Sequence, residues 1–151
     1  MATIKSFSDL QQSKTLAKIL PLESADMHYN NGSCRGVDYT EHFNAELMPY
    51  QEALHLMKIH KTNFMFQVIP CWSLAALLDA IPTIIGSILE KDALRLRIDK
   101  SEADFNIWYD NLDTGMVEEG FDIIKTNPVD ACYEMILKLN EFKCYDYGNK
   151  I

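Results

Sequence analysis

The chain has 151 residues, of which 48% are hydrophobic and 24% charged, and its net charge is −8 at pH 7. That composition excludes intrinsic disorder, which goes with too little apolar surface to offset chain entropy. The length suits a single globular domain over residues 1–151, and the acidic balance argues against binding to nucleic acid or an anionic membrane, whose phosphates attract positive charge.

In chain order, SDLQQSKTLAKILP predicts a helix over about 9–20. Ser8 can cap it, with Gln11 at the capping-box spacing. Leu10, Leu16, Ala17 and Leu20 form its apolar stripe and Pro21 its stop. Residues 25 to 29 read as a short strand, and Asn30-Asn31-Gly32 and Gly36 as turn and loop. The segment 30–62 is set apart as variable. Within it, Pro49 suits the first turn of a helix that carries Tyr50, Ala53, Leu54 and Met57 on one face. NFMFQVIP, residues 63–70, is aromatic and β-branched and reads as a strand.

That strand runs into PCWSLAALLDAIP, residues 70–82. Leu74, Leu77, Leu78 and Ile81 repeat at helical spacing, so a helix is expected over 73–81 with Ser73 as its N-cap. A nucleophilic serine would want the glycine-flanked GxSxG elbow, but the neighbours here are Trp72 and Leu74. Cys71 near a helix start is the alternative nucleophile, but no base is in sight to activate it. The apolar window 74–89 falls short of the roughly 20 residues of a spanning helix and is broken by Asp79 and Pro82.

Two segments then alternate with period two. In ALRLRID, Leu94, Leu96 and Ile98 share one face, and Arg95, Arg97 and Asp99 the other. In DFNIWYD, Phe105, Ile107 and Tyr109 oppose Asn106, Trp108 and Asp110. Short, polar KSEA between them predicts an antiparallel hairpin. Val117, Phe121 and Ile123 alternate in a third strand. The expected strands span about 92–99, 104–110 and 116–124. TNPVDACYEMILKLNEF closes the fold with a helix over 128–141, capped by Asn127, with Pro128 at its first position and Asp130 in its first turn. Val129, Cys132, Ile136 and Leu139 are its buried stripe. Residues 143–151 read as a loose tail. The fold class expected is α+β: an antiparallel sheet of three or more strands with the helices mainly on one face.

The segments LAKILPLESADM, PCWSLAALL and NPVDACYEMILKL resemble, in this order, blocks of a family of short proteins from Bacteroidales and their mobile elements or phages. They cover roughly a quarter of the chain. The family has no established activity and so lends no catalytic residues. The resemblance implies a cytoplasmic protein encoded by a bacterium or a phage.

Chemistry motifs are sparse. There is no phosphate-binding loop, no dinucleotide fingerprint and no metalloprotease signature. Cys34, Cys71, Cys132 and Cys144 contain no CxxC pair and, with no secretory signal, read as free thiols. His28, His42, His55 and His60 have no zinc-ligand spacing. Asp110 with Asp113, and Glu118 with Glu119, read as solvated surface acids. No catalytic residue, metal or cofactor is expected. Arg95, Arg97 and Trp108 are the candidate binding residues, since an aromatic beside arginines is enriched in binding hot spots. The expected partner is another protein or a second copy of this chain. A small-ligand-binding domain or small enzyme is the alternative.

Overall fold

The structure is a computed structural model that describes residues 5–30, 44–47, 68–86 and 92–147. The turn at 31–36, the helix expected near 50–57 and the first part of the 63–70 strand lie outside those residues. The described chain is α+β. It runs α1 (Leu10–Leu16), a 3-10 turn (Leu22–Ser24), β1 (Met27–Asn30), β2 (Asn44–Leu47), β3 (Val68–Cys71), α2 (Leu74–Ala80), β4 (Ile84–Ile85), β5 (Leu94–Lys100), β6 (Phe105–Asn111), β7 (Val117–Lys125) and α3 (Pro128–Glu141). These form two compact units divided within α2, one built mainly on 7–76 and the other on 77–147.

In the 7–76 unit, β1 is the centre of a three-stranded antiparallel sheet, β2-β1-β3. Met27 lies opposite both Leu47 and Cys71. Pro70 is tolerated because β3 is an edge strand among the described residues, where a missing N–H need not break the ladder. α1 packs on β3 and buries Leu16 and Ser13. Its cap is Asp9, not the expected Ser8. Asp9 Oδ1 accepts the Gln12 N–H at 2.8 Å, and Gln12 Oε1 accepts the Asp9 N–H at 3.1 Å. Ser8/Gln11 and Asp9/Gln12 both have the capping-box spacing. Ser8 is withdrawn because it is buried and its hydroxyl accepts the Trp72 N–H at 3.1 Å. The helix also stops at Leu16 rather than 20, though Ile19 and Leu20 are still buried.

In the 77–147 unit the sheet order is β4-β5-β6-β7, all antiparallel. One face buries Ile107, Tyr109, Phe121 and Ile123. α3 packs against β6 and β7 and buries Val129, Cys132, Met135, Ile136 and Leu139. Its start is built as the sequence indicates: Asn127 Oδ1 accepts the N–H groups of Val129 at 2.9 Å and Asp130 at 3.4 Å. Asp130 in turn accepts Lys5 Nζ at 2.7 Å.

The expected α+β class with an antiparallel sheet of three or more strands is what the described residues show; they hold two such sheets, α1 packing on the first and α3 on the second. Strand periodicity shows which segments are extended. It does not show which edges they join.

α3 ends in a Schellman motif. The Cys144 N–H reaches Leu139 O at 3.0 Å, the Lys143 N–H reaches Asn140 O at 3.2 Å, and Lys143 sits at φ 53°. That left-handed position is usually glycine. Lys143→Gly should therefore raise the unfolding free energy by a few tenths to about 1 kcal/mol, measured by urea denaturation.

Candidate functional site

Cross-strand register sets the face of the four-stranded sheet that points away from α3. Residues directly opposite in antiparallel strands share a face. The first row is Ile84, Arg95, Asp110 and Val117. The second is Arg97, Trp108 and Asp122, and the third is Asp99, Asn106 and Ile124. Arg95, Arg97 and Trp108 therefore share one face, as the period-two alternation requires.

Asp110 organises the first two rows. Asp110 is buried, with its side chain 8% exposed. Arg95 donates to it through Nε to Oδ1 at 3.3 Å and Nη2 to Oδ2 at 3.4 Å. Arg97 Nε lies 3.5 Å from Oδ2. The arginine side chains are 39% and 49% exposed. A buried carboxylate demands a paired cation, and here it holds two. The terminal nitrogens of Arg97 have no other partner among the described residues. Arg97 is thus paired at Nε while its outer fork stays open, directly across from half-buried Trp108. A planar fork of that kind suits a carboxylate.

Three features of this face differ from the sequence reading. Asp110 is buried, not a solvated acid. Its position on the Trp108 face was legible, but only the hairpin register places it against Arg95. The face is also of mixed charge, because exposed Asp99 and Asp122 join Asp110 against the two arginines. Finally, Val117 does not share a face with Phe121 and Ile123. The β6–β7 ladder shifts between Trp108 and Asp110, so Val117 meets Asp110. A slip of this parity carries a side chain to the other face, and Val117 is 52% exposed. Gly120, at φ 88°, lies within the shift, and a Cβ there would meet nothing within 4 Å. Backbone conformation, not space, favours glycine at that point.

The Cys71-Trp72-Ser73 stretch lies in the other unit and is fully engaged in structure. Ser8 and Trp72 exchange hydrogen bonds, Ser8 N–H to Trp72 O at 2.8 Å and the Trp72 N–H to Ser8 Oγ. Tyr29 OH donates to Ser8 O at 2.6 Å, and Cys71 Sγ donates to the same carbonyl at 3.4 Å. Trp72 Nε1 donates to Ser24 Oγ at 2.9 Å. Cys71 is wholly buried, and burial pushes its thiol pKa up. A protonated, inaccessible thiol is a poor nucleophile.

Ser73 caps α2, its Oγ accepting the Ala76 N–H at 3.2 Å. Asp26 completes the cap: Oδ1 accepts the Ser73 N–H at 2.9 Å and Oδ2 accepts the Ser73 hydroxyl. Ser73→Ala should cost on the order of 1 kcal/mol in urea denaturation. Aspartate is ordinarily as good a cap as serine, but Ser73→Asp would face Asp26 with like charge. It should destabilise at least as much as alanine, and Asp26→Asn in the same chain should recover most of the loss.

Among the described residues no group of three or more His, Cys, Asp or Glu could hold a metal ion. No described helix is long and apolar enough to cross a membrane. Neither protein-family models nor characterised proteins nor solved structures give a match to this chain.

Proposed function

We propose that this protein is a non-enzymatic interaction module that receives a protein partner on the sheet face away from α3. The observation that carries this reading is Arg97, anchored at Nε by buried Asp110, open at its outer fork, and set across from Trp108. Arginine and tryptophan dominate binding hot spots, and an arginine held in place before binding loses less side-chain entropy on docking. The reading excludes nucleic acid, on the net charge of −8. It places the protein in the cytoplasm of a bacterium, or of a phage-infected one, where the free thiols Cys71, Cys132 and Cys144 suit a reducing compartment. It keeps the chain with the Bacteroidales and phage family on its three sequence blocks.

A second reading, a small-ligand site on the same face, draws on Asn106 Oδ1. That atom is buried and has no hydrogen-bond partner. A ligand that donates a hydrogen bond would satisfy it.

The test is capture from host extract with the wild-type chain and a Trp108→Ala/Arg97→Gln variant as baits. A protein retained by the wild type should be lost by the variant, with circular dichroism unchanged. Equal retention would remove this face from consideration. If the double variant does not fold, Arg97→Gln alone carries the test, since that side chain is half exposed.

A further inference from the structure

We infer that the partner on this face is a second copy of the same chain, docked about a two-fold axis along β6 at Trp108. The inference rests on the docking reading above and names its occupant. The second row runs positive, aromatic, negative: Arg97 on β5, Trp108 on β6, Asp122 on β7. A two-fold axis in the plane of the interface and along the strands keeps each row over itself and exchanges the outer strands. Arg97 of each copy then meets Asp122 of the other, with the two Trp108 rings at the axis. The alternative in-plane axis, perpendicular to the strands, sets Arg97 against Arg97 and is disfavoured. A two-fold interface must be self-complementary, and this row is.

In the flanking rows the same axis sets Arg95 over Val117 and Asp99 over Ile124, and it brings the two Asp110 side chains together at the axis, each already paired with Arg95 and Arg97 of its own chain. Val117 and Ile124 are 52% and 58% exposed, apolar side chains left in water on an otherwise charged strand. Docking would bury Val117 beneath the aliphatic stem of the opposing Arg95. Face-to-face sheets pack about 10 Å apart, a gap that arginine and tryptophan side chains fill. Asp122 makes no hydrogen bond or ion pair within the described residues. Its carboxylate is open to the Arg97 fork of the other copy.

Sedimentation velocity over a micromolar to submillimolar series tests this. The wild type should dimerise, and the dimer should weaken as salt rises. Arg97→Glu and Asp122→Arg should each weaken it by about tenfold or more, since each change enters the interface twice. Both substitutions in one chain should restore the dimer. An equimolar mixture of the two single variants should form a heterodimer, because there both pairs again join opposite charges. If Arg97→Glu fails to fold, Asp122→Arg alone carries the test. A dimer indifferent to both reversals, or a mixture that stays monomeric, overturns the inference. So does a wild type that is monomeric throughout. In that last case retention of a host protein on the bait leaves the docking reading standing, and loss of stability in both single variants assigns the face to contacts within the chain.

Discussion

Replacing Arg95 and Arg97 together by methionine should lower the unfolding free energy by about 3 kcal/mol. Methionine keeps most of the aliphatic stem, so the loss isolates the charge. The cost arises at Asp110, whose side chain is only 8% exposed and would be left without either cation. The magnitude sits at the low end for a broken buried pair because the arginines themselves reach water. Either single replacement should cost far less, since one guanidinium still serves the carboxylate. Asp110→Asn placed in the double variant should recover most of the stability, as an uncharged amide tolerates the site better. Urea denaturation of the wild type, the double variant, Asp110→Asn alone and the triple variant completes the cycle. A double variant within 1 kcal/mol of the wild type would show that Asp110 is hydrated and that the arginine arrangement is incidental.

Raising the pH from 8 to 10.5 should cost about 2 kcal/mol of stability through Cys132 alone. Its thiol is wholly buried in the α3 stripe, and burial pushes its pKa from 9.0 up to about 12. The folded state therefore holds the proton where the unfolded chain releases it. Stability is full below the unfolded value and falls as pH rises towards the folded one. Tyr29, Tyr109 and Tyr147 are raised by burial as well, so the loss steepens further above pH 10. Cys132→Ala should be less stable at pH 8, because a small cavity opens in the core. It should lose about 2 kcal/mol less than the wild type between the two pH values. Equal slopes would mean that the thiol reaches solvent in the folded state.

The elements whose causes lie within a few residues were legible in the sequence. Asn127-Pro128 starts α3 because capping acts over two or three positions, and Asn127 Oδ1 does accept the Val129 and Asp130 N–H groups. The alternation in ALRLRID and DFNIWYD set Arg95, Arg97 and Trp108 on one face, because a strand's side chains point by parity alone. Tertiary structure decided what depends on distant partners. Ser8 loses its capping role to Trp72, 64 residues away, and the cap moves to Asp9. Asp26 reaches the cap at Ser73 from 47 residues away and turns a tolerated aspartate into a repelled one. The slip near Gly120 transfers Val117 to the Asp110 face, and hairpin register buries Asp110 against Arg95. In each case the deciding contact is one made only in the folded chain.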